Sequence, residues 1–205
     1  YTKIQLEKFR KAIKILENFG VKNAIKHAAA TGGTLLYPES RLDMVRIGIG
    51  FYGLWPSKET EIQHNDIIGK KILLKPVLAW KTIVAQIKKV KKGDFIGYDL
   101  MERMERDAKI AVLPIGYWHG YDRGFSGIGE VLINGVRSKV LGLVSMDMIV
   151  VDITKAGKVE VEDEAVLLGR QGNEEITALE LARKIGTTPY EIITRINPQI
   201  PRIVI

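Results

Sequence analysis

Between residues 5 and 19 apolar side chains recur at helical spacing, at Leu6, Phe9, Ile13, Leu16 and Phe19, and Gly20 supplies a C-terminal stop. The pattern predicts an amphipathic helix. The next segment, His27-Ala28-Ala29-Ala30-Thr31-Gly32-Gly33-Thr34-Leu35, is built of small residues. It either opens a helix whose free amides face an anion or forms a plain loop. The run that follows Asp43, through Gly53, is apolar apart from Arg46 near its start and carries glycines at 48, 50 and 53. It reads as a buried strand opening into a glycine loop, where a ligand can approach the main chain closely. A guanidinium in such a strand calls for a carboxylate partner or a polar ligand, because an uncompensated buried ion costs several kcal/mol. The plainer alternative is a structural ion pair with a residue such as Asp43. Helix, strand or loop, helix and strand in this order belong to an α/β unit.

After Pro56 the texture changes. Residues 57–66 are polar, and beyond them short strand-like runs alternate with turns, at 75–90, 94–98, 108–114, 130–133, 137–143, 148–152 and 165–169. Asn134-Gly135, set between two apolar runs, is the strongest hairpin signal. One late helix is expected, opened by Thr177 as N-cap with Glu180 three residues on and closed by Gly186. The chain is therefore expected to hold two domains, an α/β remnant over 1–67 and a mainly antiparallel, barrel-like β domain over 68–205.

Composition narrows the classes. The chain has 205 residues, 46% of them hydrophobic, enough for a proper core. No apolar run approaches the ~18 to 20 residues of a membrane span. There is no cysteine, hence no disulfide framework and no thiolate metal site, which fits a reducing, cytoplasmic setting. His27, His64 and His119 are too scattered for zinc. The first residues, Tyr1-Thr2-Lys3-Ile4, carry neither an initiator methionine nor a signal-peptide pattern, and the chain is expected to be part of a longer one. The net charge of +7 is compatible with an anionic partner, yet the lysines are spread along the sequence. Their densest cluster, residues 88–92, looks like a solvated strand end.

Two groups of residues suit chemistry. Tyr98, Tyr117, Tyr121 and Tyr190 each sit beside glycine or at a turn. Each is either a half-buried ring with its hydroxyl in water or a candidate base, and the latter needs neighbouring positive charge to lower a pKa near 10. Ser145-Met146-Asp147 lies between two apolar runs. Met146 is then core filler or part of a bend whose free amides hold a carboxylate.

Seven short motifs occur in the order and approximate spacing of alanine racemases. They are Val45-Arg46-Ile47-Gly48-Ile49, Tyr52-Gly53-Leu54, Pro76-Val77-Leu78-Ala79-Trp80-Lys81-Thr82, Gly97-Tyr98, Pro114-Ile115-Gly116-Tyr117, Val144-Ser145-Met146-Asp147 and Pro189-Tyr190-Glu191. The sequence thus resembles the C-terminal portion of that family. The resemblance implies a pyridoxal 5'-phosphate enzyme of fold type III: the end of a TIM barrel, then the β domain, in a homodimer with shared active sites. It implies that Arg46 meets the pyridine nitrogen, while Thr31, the amides of Gly48 and Ile49 and the hydroxyl of Tyr190 meet the phosphate. Tyr98 would take the α-proton of L-alanine in the other subunit's site, Met146 would hold the substrate carboxylate through its backbone, and Tyr117 would stand at the entrance. The family's second base is the lysine that joins the cofactor as a Schiff base. No position here matches it, so the piece alone is expected to be inactive. The reaction implied interconverts L- and D-alanine and supplies D-alanine for peptidoglycan.

The sequence also departs from the family pattern. Ala30-Thr31 stands where Asn-Ser is common, His119 replaces an aspartate, and isoleucine and valine occupy the end where a tyrosine often lies. Two other readings remain. One is a racemase of serine or another small amino acid. The other is a basic β-barrel binding nucleic acid through Phe95, Tyr98, Tyr117 and Trp118 as stacking platforms, although the basic residues do not interleave with those aromatics.

Overall fold

A computed structural model describes residues 1–69 and 72–205. The chain divides into two compact units, Tyr1–Val77 and Leu78–Ile205.

The first unit begins with helix α1 (Thr2–Asn18), which ends where Gly20 takes a left-handed φ of +89° and Val21 N–H donates to the Leu16 carbonyl at 3.0 Å. Strand β1 (His27–Ala30) follows and runs directly into helix α2 (Thr31–Leu36). Strand β2 (Met44–Arg46) then pairs with β1 in parallel, with Ala30 opposite Arg46. The strand was expected to be long and buried. Instead it spans three residues, and Met44 and Arg46 are exposed with Val45 between them half-buried. Among the described residues β2 is paired with β1 alone, and Gly48 follows soon after its end, so no enclosed run forms.

A second departure lies in the polar stretch after Pro56. It forms helix α3 (Lys58–Ile68), whose N-cap Ser57 accepts from Thr60 N–H at 3.2 Å and whose C-cap Gly69 is left-handed. Residues 75–77 pack back onto the glycine loop, with Val77 N–H donating to the Tyr52 carbonyl at 3.2 Å. A Cβ on Gly53 would lie 1.7 Å from the Lys75 carbonyl oxygen. These ties lie within the first unit, which runs to Val77.

The second unit is built on antiparallel strands: β3 (Trp80–Ile83), β4 (Gln86–Val90), β5 (Phe95–Ile96), β6 (Glu102–Arg103), β7 (Ala108–Leu113), β8 (Glu130–Ile133), β9 (Val136–Leu141), β10 (Ile149–Asp152), β11 (Glu164–Gln171) and β12 (Glu174–Ile176). Eight of them form one sheet in the order β12-β11-β8-β9-β10-β7-β4, with β3 on β11; β5 and β6 make a separate hairpin. Asn134 and Gly135 both take positive φ and bring Ile133 opposite Val136, as a tight primed turn requires. The core sits against this sheet, with Leu113, Val131, Leu132, Ile133, Val151 and Leu167 fully enclosed.

Two short late helices occur where one was expected. They are α4 (Ala178–Lys184), capped by Thr177, whose hydroxyl accepts from Glu180 N–H at 3.1 Å, and α5 (Pro189–Thr194). A charged cluster fastens α4 to the sheet. Arg137 meets Glu180 at 2.6 Å and Glu174 at 2.8 Å, and Lys184 meets Glu130 at 2.6 Å.

Candidate functional site

In the first unit the candidate residues gather where the two parallel strands end, the usual place for ligands in parallel α/β structures. β1 delivers Thr31, and β2 delivers Ile47, Gly48 and a 3-10 turn over Ile49–Tyr52. Thr31 is buried, and its hydroxyl accepts from the amides of Gly48 and Gly50, each at 3.3 Å. A hydroxyl that accepts twice still has its own proton to donate. The amide of Ile49 opens its turn and so has no acceptor inside it. The glycines here have different reasons. A Cβ on Gly50 would come within 2.7 Å of the Thr31 methyl, whereas one on Gly48 would meet nothing within 4 Å. The result is a cradle of amide and hydroxyl donors with open space beside Gly48, a donor set that fits a phosphate.

Arg46 stands next to this cradle at the end of β2. It is exposed, contrary to the expectation of a buried ion, and its guanidinium contacts the His27 ring and lies 3.5 Å from the His27 carbonyl oxygen. Asp43, the carboxylate considered as its partner, instead accepts from the Lys26 amide at 2.9 Å. No sequence signal linked His27 to Arg46, because the contact arises from the parallel pairing of β1 with β2.

In the second unit Tyr98 tops the hairpin of β5 and β6 and is two-thirds exposed. Gly97, Asp99 and Leu100 around it all have positive φ. Two consecutive non-glycine residues in that region cost on the order of 1–3 kcal/mol each and mark a turn whose shape is imposed by its surroundings. The hairpin base packs on Gly142, where a Cβ would lie 2.8 Å from the Ile96 carbonyl oxygen.

Tyr117 and Met146 are brought together through their main chains. Tyr117 N–H donates to the Ser145 carbonyl at 3.0 Å and Trp118 N–H to the Met146 carbonyl at 2.9 Å. The approach is so close that a Cβ on Gly116 would fall 2.2 Å from the Ser145 oxygen. The Met146 carbonyl is thus occupied by the Trp118 amide. His119 has its ring Nδ1 in range to accept from the Gly116 amide at 3.1 Å and so closes the same turn. Trp118 lies edge-on to that imidazole.

Tyr190 lies half-exposed on α5, while Pro189 and Ile192 bury the other side of the helix. Tyr121 is fully enclosed against Phe125 and Trp80, and burial pushes its phenol pKa well up. It is a core residue, which removes it from the candidate bases. Among the described residues no cluster of histidine and carboxylate side chains could hold a metal, and no helix is long and apolar enough to cross a membrane.

Comparison with known proteins identifies the family. The family models for the alanine racemase N-terminal and C-terminal domains match residues 1–56 and 77–204. The alanine racemase of Leptospira interrogans is 38% identical over all of this chain, which covers 53% of that protein. The crystal structure of the Bacillus anthracis alanine racemase with bound L-Ala-P superposes with a TM-score of 0.86 at 38% identity, over 96% of this chain and 49% of that one. The Bartonella henselae enzyme, crystallised with covalently bound pyridoxal phosphate, gives 0.77 at 27% identity over 98% of this chain and 52% of that one. The chain spans about half the length of the curated relatives it matches. With both family models in register along it, the chain belongs to the alanine racemase family.

Proposed function

We propose that this chain is the C-terminal part of an alanine racemase, a pyridoxal 5'-phosphate-dependent isomerase that interconverts L- and D-alanine and supplies D-alanine for peptidoglycan. In this reading residues 1–77 close the cofactor-binding TIM barrel, residues 78–205 are the barrel-like β domain, and the enzyme works in the cytoplasm as a homodimer with shared sites. The observation that carries it is the cradle at the ends of β1 and β2, where the Thr31 hydroxyl, accepting from the Gly48 and Gly50 amides, keeps its own proton to donate and the Ile49 amide has no acceptor within its turn. The relative crystallised with covalently bound pyridoxal phosphate supports the choice of cofactor.

Each residue then has a task. Thr31, Gly48, Ile49 and Tyr190 bind the phosphate. Arg46, which cannot give up its proton at ordinary pH, would donate to the cofactor's ring nitrogen, and contact with His27 orients the guanidinium. The cofactor, when bound, supplies the electron withdrawal that makes an α-hydrogen removable. Tyr98, carried outward on its strained turn, takes that proton from L-alanine, and the cofactor lysine of the family serves the opposite face. The Met146 amide holds the substrate carboxylate, and Tyr117 flanks the way in.

The test is racemisation by the full-length chain that carries this segment. Purified with pyridoxal phosphate, it should convert L-alanine to D-alanine faster than serine or other small amino acids. Preference for serine would move the assignment to a neighbouring racemase, and no turnover with any amino acid would refute it.

A further inference from the structure

The turn that carries Tyr117 is half-exposed and packs on the Met146 turn on one side. On its other side a separate set of contacts fixes it to the end of α5. Asn197 N–H donates to the His119 carbonyl at 3.0 Å, and the Asn197 side-chain amide donates to the Trp118 carbonyl at 3.0 Å. The Asn197 side-chain oxygen accepts from Gln199 N–H at 2.9 Å, so its amide group is held in one orientation. Arg195, the C-cap of α5, bridges Asp122 at 2.5 Å and Glu191 at 2.6 Å. The backbones also meet, since a Cβ on Gly120 would lie 2.3 Å from the Arg195 carbonyl oxygen. Beside these contacts lies a cavity of about 450 Å³ lined by Tyr117, Gly120, Asp122, Arg123 and Arg195.

We propose that Asn197 and Arg195 are positioning residues for Tyr117. They fasten its turn to α5, and so set the wall of the cavity through which a small amino acid passes. The direction of control follows from burial. Pro189 and Ile192 anchor α5 in the core, whereas the Tyr117 turn has its side chains largely at the surface. The helix is therefore the fixed reference and the turn is what moves when the ties are cut. The inference rests on the reading that places Tyr117 at the substrate's entrance.

The experiment uses the full-length holoenzyme and four variants: Asn197→Asp, Arg195→Met, Tyr117→Phe and the double variant Asn197→Asp/Tyr117→Phe. Asn197→Asp keeps the shape and the acceptor for Gln199 but sets an oxygen against the Trp118 carbonyl. Loss of one such hydrogen bond should raise KM for L-alanine about three- to tenfold, with kcat and the affinity for pyridoxal phosphate within about twofold. Because the effect runs through Tyr117, the double variant should have no higher KM than Tyr117→Phe alone. Arg195→Met removes two ion pairs of a half-exposed side chain, so it should fold and give a smaller rise in KM even if Asn197→Asp does not fold. A lowered melting temperature with unchanged KM in both Asn197→Asp and Arg195→Met would reduce the ties to a structural role and overturn the proposal. Additive KM effects in the double variant would do the same. A silent Tyr117→Phe would instead remove the reading of Tyr117 itself, and the positioning proposal with it.

Discussion

The cradle of the first unit and the tyrosine turns of the second present their functional groups in opposite ways. At the ends of β1 and β2 the donors are main-chain amides and one buried hydroxyl, and the side chains around them are small. On the second unit the groups proposed to meet the substrate include two exposed side chains on turns, Tyr98 and Tyr117, and the main chain serves to hold them out. Backbone donors come with fixed spacing and suit an anchor that never changes partner. Side chains on turns can be presented to a substrate that enters and leaves. The first arrangement should therefore respond to substitution mainly in cofactor affinity and the second mainly in turnover.

The contrast is sharpest for Tyr98. Tyr98→Phe in the full-length enzyme removes the hydroxyl and keeps the ring, so kcat should fall on the order of a hundredfold to ten-thousandfold with the affinity for pyridoxal phosphate nearly unchanged. On the other side, Thr31→Val keeps the volume of Thr31 but strands the Gly48 and Gly50 amides. The dissociation constant for pyridoxal phosphate, measured by titrating apoenzyme, should rise about tenfold. A rate defect at saturating cofactor would break the division between the two regions.

The glycines separate the regions again. Gly116→Ala drives a methyl into the Ser145 and Met146 main chain, 2.2 and 2.6 Å away, and should lower stability by about 1–3 kcal/mol. Gly48→Ala points into open space, so chemical denaturation should find stability little changed while cofactor affinity drops. The smallest effect concerns the cluster that fastens α4. Burial raises the Glu130 pKa, but the hydrogen bond from Lys184 and the charges of Lys184 and Arg137 outweigh it, and the carboxyl ends below its ordinary value. A depressed carboxylate contributes stability that is present above its unfolded pKa and is lost as pH falls through the folded one. Glu130→Gln should therefore lose its deficit relative to the parent as pH falls from the ordinary glutamate range through the depressed folded value, with a difference of about 1 kcal/mol or less at neutral pH.

What was legible in the sequence was what local rules control. Helix α1, the Asn134-Gly135 hairpin and the Thr177 cap each depend on neighbours within a few residues, and each occurs where expected. Helix α3 escaped because its polar residues, among them Glu59, Glu61, Gln63 and Asp66, mask any apolar stripe; Ser57 and Gly69 were its only signals. β6 and β12 span two and three residues, too few to show a period. Arg46 misled because Val45, Ile47 and Ile49 suggest enclosure, which depends on how many strands and helices flank β2 and not on its own sequence. The candidate site was named through the family pattern. His27 beside Arg46, and Asn197 with Arg195 behind Tyr117, join residues distant in the chain, and only the folded structure brings them together.

The central claim is that Tyr98 serves one face of the α-carbon, and α-hydrogen exchange in heavy water tests it most directly. In full-length Tyr98→Phe, D-alanine should still exchange its α-hydrogen through the cofactor lysine, L-alanine should not, and net racemisation should collapse in both directions. Equal residual exchange from the two enantiomers would contradict the assignment and pass the role of L-specific base to Tyr117.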